Sequence, residues 1–124
     1  VQAVKCSPWV ADYDRRPRTA PCPTFADGIA TAAPVRSSEI VDAVRASNGA
    51  LVSVTESDIA RALAKLLTKG WYVEPTTAAG AAGLSHLVHD GRVKQGATTV
   101  LVLTGHGLKA GQAVQDTLAQ LETG

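Results

Sequence analysis

Residues 98–112, "TTVLVLTGHGLKAGQ", decide how this chain is read. Four β-compatible residues, Val100 to Leu103, run into a glycine-rich turn that carries Thr104, His106 and Lys109. Gly111 then opens a polar helical pattern that continues through "AVQDTLAQL". The order is strand, loop, helix. In an open α/β sheet, ligands settle at the carboxyl ends of strands, where backbone N–H groups and a helix N-terminus meet an anion or an aromatic heterocycle. The turn is therefore a candidate site.

Working outward, the same alternation recurs. "WYVEP" (71–75) reads as a short β segment ended by Pro75, and "TTAAGAAGLSHLVHDG" (76–91) as a helix rich in Ala and Gly. Gly80 and Gly83 each cost roughly 1 kcal/mol in a helix interior, so close packing is expected there. Thr55 and Asp58 form a capping-box start for a helix that keeps its period through Ile59, Leu63, Leu66 and Leu67 to Gly70. Before it come a short strand, "ALVSVT", and a helix capped by Ser37 and Ser38 with Ile40, Val41 and Val44 on one face, stopping at Asn48 and Gly49. Prolines 17, 21 and 23 make the preceding stretch a loop. A short helix is expected from Ser7 to about Tyr13, and "VQAVK" at the start reads as a strand with no turn or cap before it. Strands alternating with helices predict an α/β fold with a mostly parallel sheet.

At 124 residues with 45% hydrophobic content, the chain is expected to form one domain, residues 1–124, with one core. Twelve basic and eleven acidic residues leave a net charge of +1 without long runs of either sign, which argues against nucleic acid or an anionic membrane as partner. No apolar stretch approaches the ~20 residues that span a bilayer, and a soluble, cytoplasmic protein is expected. Cys6 and Cys22 form no CxxC pair, and with His86, His89 and His106 scattered no metal site is expected. His86 and His89 stand at i, i+3, facing one ligand or forming an ordinary polar helix edge.

The glycines at 105, 107 and 111 give GxGxxxG, not the GxGxxG of dinucleotide-binding folds, and Lys109 stands outside any GxxxxGK[ST] sequence. Thr104 at the strand end either hydrogen-bonds a heterocycle nitrogen or caps its own loop. Glu74 is either a carboxylate facing a buried site or an acid placed at a helix N-terminus. Asp27 and Gly28 in "FADGIA" make a turn or line a ligand. No catalytic triad and no carboxylate pair stands out.

Three stretches, "PTFADGIATAAPVR", "VEPTTAAGAAGL" and "VLVLTGHGLK", together resemble the C-terminal part of threonine synthase, a pyridoxal-phosphate enzyme of the tryptophan-synthase-β-like fold. The first two are shared in outline with threonine dehydratases and serine racemases, and "TGHGLK" favours threonine synthase. The resemblance implies a partial three-layer αβα arrangement, the C-terminal portion of the large domain of a fold type II enzyme. It also implies cofactor-binding roles. Thr104 would be the hydroxyl partner of the pyridine nitrogen, Gly28, Ile29 and Ala30 would line one side of the ring, and Glu74 would stand near the ring edge.

The family's Schiff-base lysine, in a Ser-Phe-Lys-type motif, and its Gly/Ser/Asn-rich phosphate loop are both absent from these 124 residues. Lys5, Lys65, Lys69, Lys94 and Lys109 all stand in other contexts, so no catalytic residue is assigned. The expectation is a segment of an enzyme whose parent converts O-phosphohomoserine and water to threonine and phosphate. The chain alone is expected to bind no cofactor and to be inactive. Its expected partners are the missing N-terminal part of the enzyme or a second copy of itself. Alternative readings are a threonine or serine dehydratase segment and a non-catalytic remnant that oligomerises or binds.

Overall fold

The computed structural model describes residues 24–31 and 34–122. The expected first strand and first helix, with Lys5, Cys6 and Cys22, lie outside the described residues. Four α-helices form the frame: α1 (Ser37–Ala46), α2 (Glu56–Thr68), α3 (Pro75–His89) and α4 (Gly111–Glu122). Among the described residues there are also two short 3₁₀ turns, Asp27–Ile29 before α1 and Gly107–Ala110 directly before α4.

Local chemistry explains where these helices begin and end. Thr55 caps α2: its hydroxyl accepts from the Asp58 N–H at 3.2 Å, and the Asp58 carboxylate accepts the Thr55 N–H at 2.9 Å. That reciprocal pair satisfies two donors a helix start leaves open. Gly70, with φ of +83°, ends the segment in the left-handed region that favours glycine. Pro75 is the first residue of α3, where its missing N–H costs no hydrogen bond, so it starts the helix as well as ending the segment before it. α1 departs from expectation, because its N-cap is Arg36 and no side chain caps it; Ser37 and Ser38 lie inside the helix. Its other end agrees, with Asn48 at φ 52° after the last turn.

The core forms chiefly where α2 meets α3. Ile59 and Leu63 from α2 bury against Ala78, Ala79 and Ala82 of α3, joined by Val54, Val73, Val114 and Ala26. The buried side of α3 runs through Pro75, Ala78, Ala79, Ala82 and Gly83, the i, i+3, i+4 stripe of a helix lying on its neighbour. Small residues along it let the α2 leucines seat closely. Close packing among the described residues does not explain Gly80, however: of these, a Cβ there would meet Leu101 Cδ1 alone, at 3.5 Å.

Residues 100–103 alternate as a strand does, with Leu101 and Leu103 half-buried and Val100 and Val102 at 83% and 70% exposure. Among the described residues no strand ladder forms. The isolated bridge pairs Val73 antiparallel with His106, joining the segment before α3 to the turn after residue 103. Among the described residues no helix is long and apolar enough to cross a membrane.

Candidate functional site

The first turn of α3 organises the site, because it holds two distant loops through two consecutive threonines. Thr76 Oγ1 accepts a hydrogen bond from the Gly28 N–H at 3.2 Å, fixing the Asp27–Ile29 turn. A Cβ on Gly28 would lie 2.8 Å from that same oxygen, so the glycine permits the approach. Thr77, 3% exposed, reaches the other loop. Its Oγ1 accepts from the Gly105 N–H at 2.8 Å, and lies 3.2 Å from both the Gly105 carbonyl oxygen and Thr104 Oγ1.

Glu74 occupies the N-cap position of α3 without capping it by its side chain. Its backbone N–H donates to the Gly105 carbonyl at 3.2 Å. Its carboxylate arm lies over Gly105, where an added Cβ would collide with Oε1 and Cδ and stand 2.7 Å from Cγ. Glu74 thus stands at a helix N-terminus, as one of its two readings has it, with its side chain folded across the glycine turn.

The turn itself is fixed from its other side. The Gly107 N–H donates to the Tyr72 carbonyl at 3.0 Å, and the Tyr72 ring lies where a Gly107 Cβ would be, 3.0 Å from that position. Tyr72 and His106 meet edge to face, with ring centroids 5.5 Å apart. His106 Nδ1 accepts the Leu108 N–H at 3.2 Å and so caps the Gly107–Ala110 turn. The ring proton consequently sits on Nε2 in the neutral form. His106 thus acts as a brace for the turn.

Five residues were expected at the site. Glu74 and Thr104 come together around Gly105, and Gly28 is tied to the adjacent Thr76. Ile29 packs its side chain against the core, and Ala30 is exposed. Thr104 is exposed and presents its hydroxyl at the rim of the glycine turn. The threonines that hold both loops, Thr76 and Thr77, were missed by sequence reasoning. The available signal was a pair of hydroxyls directly after Glu-Pro, in a helix's first turn, where such side chains bond outward.

Outside this cluster, Asp58 joins α2 to α3. Its carboxylate lies 3.3 Å from His86 Nε2 and also accepts from Thr55 and Arg61. Hydrogen bonds from the Thr55 hydroxyl and backbone, aided by the nearby His86 and Arg61 charges against a smaller opposing effect of burial, hold the Asp58 carboxyl below its ordinary value. His86 is thereby a helix-pairing residue, while His89 is exposed. Lys65, Lys69, Lys94 and Lys109 are all exposed. Among the described residues no group of three or more His, Cys, Asp or Glu is placed to hold a metal ion.

Comparison with known proteins gives this geometry its context. The family model described as pyridoxal-phosphate dependent enzyme matches residues 1–105. Threonine synthase of Halalkalibacterium halodurans is 36% identical over 96 residues, covering 77% of this chain and 27% of that protein. Threonine synthase of Methanosarcina acetivorans is 41% identical over 96 residues, 75% of this chain and 23% of that protein. That of Methanocaldococcus jannaschii is 37% identical over 87 residues, 69% of this chain and 22% of that protein. The chain spans about a quarter of the length of these curated relatives. The match of one family model across most of the sequence, from residue 1 into the glycine turn at residue 105, places this chain in the pyridoxal-phosphate dependent enzyme family.

Proposed function

We propose that this chain is the C-terminal part of a threonine synthase and supplies one wall of a pyridoxal-phosphate site. The observation that carries the reading is the convergence of the 27–29 turn and the 104–107 turn on Thr76 and Thr77. Two loops far apart in sequence are brought to one helix start, which is how a ligand wall is built from separate segments. The parent enzyme converts O-phosphohomoserine and water to threonine and phosphate. In the whole protein, residues 98–103 form a strand of a partial three-layer αβα arrangement, and the rest of the enzyme covers the exposed Val100 and Val102.

The residues present suit a pyridine ring. An exposed hydroxyl at Thr104 offers a neutral partner to a ring nitrogen, and the turn beside it has glycines at 105 and 107 where side chains would collide with Glu74 and Tyr72. When bound, the cofactor supplies an electron sink for carbanions at the substrate. Thr104 meets the ring nitrogen, and as a hydroxyl it leaves that nitrogen largely unprotonated. The backbone of Gly28, Ile29 and Ala30, held at Gly28 by Thr76, would line one side of the ring, with the Ile29 side chain packed on the core. Glu74 stands at the ring edge, anchored by its own backbone bond to Gly105. The Schiff-base lysine and phosphate cradle come from the N-terminal part, so the chain alone neither retains the cofactor nor turns over substrate. The threonine synthase reading is favoured over a dehydratase because the relatives described above are threonine synthases and "TGHGLK" is present.

The test is a chimera in which this chain replaces the matching segment of the Methanosarcina acetivorans threonine synthase. The chimera is expected to hold pyridoxal phosphate through dialysis and to release phosphate from O-phosphohomoserine. The isolated chain should do neither. Deamination of threonine without phosphate release would instead assign a dehydratase. A folded chimera that retains no cofactor would overturn the reading.

A further inference from the structure

The Thr77 hydroxyl has one proton and two lone pairs, and its neighbours over-subscribe it. It accepts from the Gly105 N–H at 2.8 Å, and two oxygens, Gly105 O and Thr104 Oγ1, each stand 3.2 Å away. The Gly105 carbonyl already receives the Glu74 N–H at 3.2 Å. That carbonyl is therefore satisfied whichever way the Thr77 proton turns. If the proton turns to Thr104, the Thr104 hydroxyl keeps its own proton free to donate outward. If it turns to Gly105 O, Thr104 donates inward and offers only lone pairs to whatever lies beyond. A buried hydroxyl behind an exposed one thus fixes both the direction and the donor or acceptor character of the exposed group.

We propose that Thr77 is the positioning residue for Thr104, holding its hydroxyl in one rotamer and leaving its proton free for the cofactor's ring nitrogen. This rests on the reading of Thr104 as the ring-nitrogen partner. Thr77 does not touch the ring; it acts through Thr104 and through the Gly105 backbone. The arrangement lets the outer hydroxyl donate to an unprotonated nitrogen or, by one turn of the inner proton, accept from a protonated one. A carboxylate at Thr104 would keep only the second option, because it accepts and does not donate.

The experiment uses the isotopically labelled 124-residue chain and reads the three-bond couplings about the Thr104 Cα–Cβ bond by NMR. Wild type and Thr77→Ser are expected to give the couplings of a single rotamer. Thr77→Val, which keeps the shape and removes the hydroxyl, is expected to give averaged couplings, with exchange of the Gly105 amide faster by about tenfold. Thr117→Val serves as control, since that buried hydroxyl is satisfied within α4 by the Ala113 carbonyl at 2.7 Å; it should leave Thr104 unchanged. A folded Thr77→Val chain with Thr104 still in one rotamer overturns the proposal. If Thr77→Val does not fold, wild type decides: rotamer averaging at Thr104 there overturns it equally.

These readouts need no cofactor, so they stand even if the chimera binds none. Where the chimera does load, the ¹⁵N shift of the cofactor's ring nitrogen should move in Thr77→Val in the same direction as in Thr104→Ala, and be restored in Thr77→Ser. Movement in Thr104→Ala alone would leave the cofactor reading intact and remove Thr77 from it.

Discussion

At Gly105 an added Cβ would run into the Glu74 side chain, whereas at Gly80, among the described residues, it would meet only Leu101 Cδ1, at ordinary contact distance. The two glycines look alike in the sequence, but they answer to opposite constraints. Gly105→Ala is expected to cost about 1–2 kcal/mol, because several successive atoms of Glu74 must leave their rotamer. Glu74→Ala in the same chain should recover most of that loss. Gly80→Ala should stabilise by roughly 0.5–1 kcal/mol, the usual gain from replacing glycine inside a helix. Urea unfolding of these three variants beside wild type checks all of this in one series. A Gly105→Ala chain as stable as wild type would mean that Glu74 is not held over the turn.

α2 and α3 meet through the Asp58–His86 contact described above, and the chemistry of Asp58 sets a pH dependence. Asp58 has a folded-state pKa below its ordinary value, with the Thr55 bonds as the principal cause. Its stabilising contribution is therefore fully present above the unfolded value near 3.8, and is lost as pH falls through the lower folded value. Asp58→Asn should flatten the acid limb of a plot of unfolding midpoint against pH between about 2 and 5. An unchanged acid limb would show that the carboxylate bonds are not maintained in solution. This capping box was legible in the sequence because both partners lie within one turn and their geometry follows from spacing alone. The start of α1 was not, since serines that ordinarily cap lie one and two residues inside a helix begun at Arg36. The reach of Thr77 to Gly105 was hidden for a different reason. Its partner lies 28 positions away, and nothing local marks a threonine that bonds across the fold.

Considered whole, the molecule shows apolar side chains that a finished surface would cover. Val100 and Val102 project on the same side as Thr104, the side assigned above to the cofactor and the rest of the enzyme. Replacing both valines by threonine should lower binding of a hydrophobic dye to the isolated chain and reduce its self-association by light scattering, with little change in unfolding midpoint. In the chimera the same pair should weaken assembly. Dye binding that is unaffected would place the sticky surface elsewhere. The bridge between Val73 and His106 also has a consequence for the order of assembly. α2 and α3 are neighbours in sequence and can pair early, whereas the glycine turn must return across a long intervening segment before Thr77, Glu74 and Tyr72 can hold it. The glycine turn therefore closes after that helix pair, so damage at Thr77 or Gly105 will show chiefly as faster unfolding and hardly at all as slower folding.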